Sequence, residues 1–108
     1  MADKRVIEYL VNTRSTQAIR VYIYLLNKSQ WKDDYVFTIG ELKMALGYSS
    51  STKTAERVIK DILVSLQKEG IIKYKKFYAN IYLDEKTIPV ERMMLKKVIS
   101  TGAELPAF

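Results

Sequence analysis

Between Ser15 and Ser29 apolar residues recur at Ala18, Ile19, Tyr22, Ile23, Leu25 and Leu26, a spacing that gathers them on one broad helical face. The Ser/Thr-rich lead-in supplies N-cap candidates, so this stretch predicts a helix. The polar segment 27–34 interrupts the pattern; its Trp31 is expected as a lid over the edge of the core, and Tyr35-Val36-Phe37 predicts a short strand of β-formers. Thr38-Ile39-Gly40-Glu41 then matches a capping box, in which the Thr hydroxyl takes the N3 amide and the Glu carboxylate reaches back to the cap amide. A second, short helix follows, with Ile39, Leu42, Met44, Ala45 and Leu46 turned inward and Gly47 at its left-handed end.

After the polar connection Tyr48-Ser49-Ser50-Ser51, the most regular pattern in the chain begins. Ala55, Val58, Ile59, Ile62, Leu63 and Leu66 alternate spacings of three and one, which predicts an amphipathic helix from about Thr52 to Glu69, ended by Gly70. Lys53, Thr54, Arg57 and Lys60 project from its other face. Ile71–Lys76 and Ile81–Asp84 predict two strands joined through Phe77-Tyr78-Ala79-Asn80, with Asn80 the natural left-handed candidate and no Asn-Gly or Asp-Gly pair to fix the turn. Thr87-Ile88-Pro89-Val90-Glu91 reads as a helix start with Pro89 near N1. That helix would run through Met93, Met94, Leu95, Val98 and Ile99 to Gly102. Val6–Val11 is apolar enough to pack, with helix and strand both open.

A chain of 108 residues is one small domain, and 48% apolar against 28% charged residues is enough to bury a core. The absence of Cys and His removes disulfides, thiolate and imidazole metal sites, Cys nucleophiles and His acid–base schemes. With scattered carboxylates and no Gly-rich phosphate loop, the chain reads as a binder without cofactor or metal, not an enzyme. No apolar run is long enough to cross a bilayer and the first residues are unlike a secretory leader, so a cytoplasmic, membrane-free protein is expected. The formal charge of +6 favours an anionic partner. Its distribution says more: the net is +2 over residues 1–50, +4 over 51–80 and zero over 81–108. A phosphate-facing surface should draw on that middle stretch.

The order helix, short strand, capped helix, polar turn, long amphipathic helix, hairpin resembles a winged helix-turn-helix. "TIGELKMALGYSS…TAERVIKDILVSLQKEGIIKY", Thr38 to Tyr74, is similar to the segment in which the second helix, the recognition helix and the start of the wing follow one another in that family. "STQAIRVYIYLLNKSQW" resembles the first helix of such domains in plasmid replication initiators and related phage or mobile-element proteins. The resemblance implies an α+β fold with a three-helix core, a small antiparallel sheet or wing, and an added C-terminal helix. The single domain divides as an extension (1–13), the winged-helix core (14–84) and the C-terminal helix (87–101).

It also implies binding of double-stranded DNA, for plasmid or phage replication, partition or conjugative transfer, or for transcriptional repression. The N-terminal end of the recognition helix would enter the major groove, where base edges carry a distinguishable code. Lys53, Thr54 and Arg57 are then the base readers and Lys60 a further contact. Ser49, Ser50, Ser51 and Thr52 suit phosphates. Lys73, Lys75, Lys76 and Tyr78 are candidates on the hairpin, with Lys75 and Lys76 preferred, and Arg14, Ser15 and Gln17 at the start of the first helix are candidates for added backbone contacts.

A solvated charged face is the plain rival for Lys53, Arg57 and Lys60, and Glu56 and Asp61 at helical spacing could pair with Lys60 and Arg57. Most of the eight tyrosines are expected as packing residues, Tyr22, Tyr74 and Tyr82 among them, with Tyr78 alone at the hairpin tip. The C-terminal helix makes Met93, Met94, Leu95 and Val98 the candidate interface of a homodimer reading two half-sites, with replication or transfer proteins as further partners. The reading from another class is a winged helix that binds only protein in a replication or transcription assembly.

Overall fold

The helix with the most regular apolar stripe organises the fold. In the computed structural model, which describes residues 4–31, 34–49 and 53–99, it spans Lys53–Lys68 and lays Ala55, Ile59, Ile62, Leu63 and Leu66 into the interior. Val58, expected on that stripe, lies at its margin and is exposed. In chain order the elements are α1 (Lys4–Asn12), α2 (Thr16–Trp31), β1 (Tyr35–Phe37), α3 (Ile39–Ala45), α4 (Lys53–Lys68), β2 (Ile72–Leu83) and β3 (Lys86–Val98). The described residues therefore form an α+β domain of four helices and one three-stranded antiparallel sheet, ordered β1-β3-β2. The N-terminal stretch left open between helix and strand is helix α1, which docks through Val6.

Helix α2 starts where the Ser/Thr-rich lead-in predicted it: the Ser15 hydroxyl accepts from the Ala18 amide at 3.1 Å. Its inner face carries Ala18, Val21, Tyr22, Leu25 and Leu26, and the buried Tyr22 donates its hydroxyl proton to the Ile99 carbonyl at 2.6 Å. Trp31 does not cover the core edge. It is 83% exposed, its indole donating to the Asn27 side chain one turn back.

Only half of the expected capping box forms at α3. Thr38, in extended backbone, accepts from the Glu41 amide at 3.0 Å, but the Glu41 carboxylate turns away from the cap to accept from the hydroxyls of Tyr24, at 2.7 Å, and Tyr35. Those two bonds tie α2, β1 and α3 together, a use of the carboxylate that the local motif does not foretell. Met44, expected inward, is 72% exposed, while Lys43 beside it is buried at 6%. Gly47 takes the expected left-handed conformation, φ +84°.

The C-terminal half departs furthest from expectation. Phe77-Tyr78-Ala79-Asn80 is not a turn; β2 runs unbroken to Leu83, and the reversal is a two-residue loop at Asp84 and Glu85, with φ +51° and +62°. A two-residue hairpin loop of this handedness needs positive φ at both positions, normally met by Asn-Gly, and the acidic pair concealed it. Among the described residues no helix follows: residues 87–98 of the predicted 87–101 helix lie in strand β3, residue 99 is non-helical, and residues 100–102 lie outside the described residues. Thr87, Ile88 and Val90 are β-branched, and Met93 and Leu95 point inward on either side of the half-buried Met94, a period of two. Pro89, taken for a helix start, is tolerated because β1 meets β3 only at residues 93–95, so the other edge of β3 is open at its level.

These twelve- and thirteen-residue strands outrun the helices. A strand of that length spans about 40 Å, and the molecule accordingly measures 52 × 28 × 25 Å. Residues 80–89 of the hairpin are all exposed, so its outer half is a two-stranded arm projecting from the body.

Candidate nucleic-acid interface

The connection from α3 to α4 is held from α2. The Arg20 guanidinium donates to the carbonyls of Ala45 and Leu46 at 3.5 and 3.4 Å, placing a cation at the negative end of α3. One turn earlier, the Gln17 amide donates to the Tyr48 hydroxyl at 3.1 Å. The start of α2 therefore lies against the turn that launches α4, with the exposed Arg14 just before it and the exposed Ser49 just after Tyr48. Ser50, Ser51 and Thr52 lie outside the described residues.

Lys53, Thr54 and Arg57 are exposed on the first turns of α4, and helical spacing sets Lys53 and Arg57 on one face. Lys60, one turn on, is half-exposed and lies 3.2 Å from Glu56. This is the expected helical pair; the companion Arg57–Asp61 pair is not formed. The second Glu56 oxygen lies 3.9 Å from the Nζ of buried Lys43. Across the cleft, Glu91 of β3 lies 3.6 Å from Lys76 of β2. The ammonium of Lys60 is held above the ordinary lysine value chiefly by its bond to Glu56, with further contributions from Glu91 and Tyr78. Between α3, α4 and β3 this leaves a cleft of about 260 Å³ lined by Lys43, Glu56, Lys60 and Glu91 among others. Cations and carboxylates alternate along it.

Strand register separates the hairpin candidates. Residues directly opposite in an antiparallel pair share a face. Lys76 pairs with buried Met93 and Tyr78 with Glu91, so both lie on the face turned toward α4; Lys75, opposite Met94, and Lys73, opposite Lys97, lie on the other. Lys75 and Lys76 thus cannot act as one patch. Tyr78 is 61% exposed but sits mid-strand, not at the tip. Tyr74 is half-buried as expected, whereas Tyr82, assigned to packing, is exposed.

The proposed dimer seam does not exist as drawn. Met93 and Leu95 are core residues, Leu95 facing Tyr35 and Tyr74 across the sheet, while Met94 points to the opposite face and Val98 is half-buried beside Ile72. A stripe defined by helical spacing falls on both faces of a strand and so presents no common surface.

Sequence reasoning overlooked Arg20, Gln17 in its role at Tyr48, Lys43 and Glu91. A basic residue one helical turn after a cap is a weak signal for Arg20; the partnership of Glu91 with Lys76 follows only from the register. Comparison with protein-family models, curated proteins and solved structures found no match for the chain.

Proposed function

We propose that the domain is a winged helix-turn-helix that binds double-stranded DNA, with the first two turns of α4 in the major groove and the α4-facing side of the hairpin along the adjoining backbone. The observation that carries this reading is proximity: Lys53, Arg57 and Lys60 are exposed along one side of α4, and Lys60 lines, with Val64 and Glu91, the same small pocket as Lys76 of the hairpin. Lys53, Thr54 and Arg57 face base edges, since Arg can donate two parallel bonds to guanine and Thr can bond a base or touch a thymine methyl. Lys60, Lys76 and Tyr78 meet phosphates, with Arg14 and Ser49, beside the start of α2, as further backbone contacts. Lys73 and Lys75 fall outside this surface.

The biological setting follows from the resemblance of the first long helix: a DNA-processing accessory factor at a replication, partition or transfer origin, or a repressor. Two domains on repeated half-sites would raise affinity through linkage.

Binding to randomised duplexes over a range of salt concentrations tests the reading. Arg57→Ala is expected to cost about 1 to 3 kcal/mol and relax specificity, and Lys76→Ala to weaken all sequences alike while reducing the salt slope. Salt-independent or absent duplex binding by the unaltered chain would overturn it and favour a domain that binds protein alone.

A further inference from the structure

Beyond Met93 the sheet loses its third strand, and from Asn80 to Pro89 the hairpin is a two-stranded ribbon with every residue exposed. Such a ribbon is marginal alone in water. The face turned away from α4 follows from the register: Phe77 lies opposite Arg92, Ala79 opposite Val90, Ile81 opposite Ile88 and Leu83 opposite Lys86. Its middle is apolar, with Ile81, Ile88 and Leu83 all exposed. Its ends carry opposite charge. Lys75 and Arg92 stand at the base, backed by the cross-strand pair Lys73 and Lys97; Asp84 and Glu85 form the tip, offset in part by Lys86.

We propose that this outer face is the contact with a second copy of the chain, two arms packing face to face and antiparallel about a two-fold axis at the level of Asn80. The charge order selects this arrangement. Basic base, apolar middle and acidic tip complement themselves only when one arm is reversed on the other; a parallel pair sets Lys75 and Arg92 against their own copies. Asp84 and Glu85 close the ribbon four rungs beyond the Asn80–Pro89 pair and Lys75 lies five rungs before it, so the acidic tip of one arm falls near the partner's Lys75, and the partner's tip near Lys75 of the first. Isologous contact of this kind closes at two copies. It also covers the apolar residues that a lone ribbon leaves in water. The footprint is small, on the order of 30 Å by 10 Å per copy, below that of a standard stable interface, so the dimer is weak and forms only as concentration rises. Nothing in this contact depends on DNA.

Sedimentation equilibrium of the full chain over a range of concentrations tests the contact. Mass is expected to rise from monomer toward dimer with concentration. Ile81→Asp with Ile88→Asp abolishes the rise, and Tyr82→Ser, on the opposite face, leaves it unchanged. Lys75→Glu and Glu85→Lys each raise the dimer Kd by about threefold or more at low salt, and the two together restore it. These exchanges alter only exposed side chains and decide the matter even if the double isoleucine variant fails to fold. A chain monomeric throughout, a dimer indifferent to the isoleucine substitutions, or charge exchanges without mutual rescue would overturn the proposal.

Discussion

The ammonium of Lys43 is buried against the body of the domain and stands 3.9 Å from the carboxylate of Glu56, joining α3 to α4. A buried cation is stabilised by each anionic group within reach, so removing Glu56 takes away part of the compensation for its desolvation. Glu56→Ala should therefore destabilise the domain by about 1 to 2 kcal/mol, below the fully buried range because Glu56 is half-exposed. Lys43→Met, which removes the cation itself and keeps an unbranched side chain, should be close to neutral. Urea unfolding of the two variants and their combination checks this: Glu56→Ala should cost much less in the Lys43→Met background.

The Tyr24–Glu41–Tyr35 junction makes stability sensitive to alkali. Burial chiefly, with the bonds to Glu41, holds both phenols above the ordinary tyrosine value. A folded pKa above the unfolded one favours the protonated phenol in the native state. The resulting stability is complete below about pH 10 and is lost as pH rises beyond it toward the folded values. Tyr24→Phe should lower stability near neutrality by about 1 kcal/mol, from the lost bond. It should also flatten the decline above pH 10, as read from denaturation midpoints between neutral and alkaline pH.

How far the fold could be read in advance depended on whether local chemistry or distant partners decided each element. Thr38 and Gly47 bounded α3 through contacts within a few residues, and the stripe from Ala55 to Leu66 defined α4 by itself. Residues 86–98 are different. Ile88, Val90, Met93, Leu95 and Val98 fit an approximate helical stripe as well as a strand, and β2 and β1 settle the choice by pairing with them. The candidate surface divides likewise. Lys53 and Arg57 were legible from helix periodicity, and strand alternation already parts Lys75 from Lys76, whereas which of the two faces α4 depends on the packing of the ribbon against that helix.

The hairpin turn supplies an engineering test. Asp tolerates left-handed backbone better than Glu, so the strain falls mainly on Glu85 at φ +62°. Replacing the loop by Asn-Gly, Asp84→Asn with Glu85→Gly, should stabilise the folded chain by about 0.5 to 1 kcal/mol, the relief of strain being partly offset by the greater freedom of Gly when unfolded. Thermal unfolding at a dilution where the chain is monomeric isolates this gain from any loss of the arm-to-arm contact that Glu85 is proposed to make.

Glu91 bears directly on the proposed DNA contact. It holds Lys76 at 3.6 Å and contributes to the field at Lys60, so phosphates approaching either lysine must compete with its carboxylate. Glu91→Gln keeps the side chain's shape and removes the charge. If Lys60 and Lys76 meet phosphate, duplex affinity should rise by about two- to fivefold at low salt, the range of a partly exposed ion pair. The gain should shrink as salt screens the competing charge and should be equal across sequences, because neither lysine is assigned to a base. In a Lys76→Ala background most of it should vanish. Filter-binding or anisotropy titrations of the four chains at two salt concentrations provide the measurement, and an unchanged affinity for Glu91→Gln would remove the hairpin from the DNA surface while leaving α4 to be tested by Arg57→Ala.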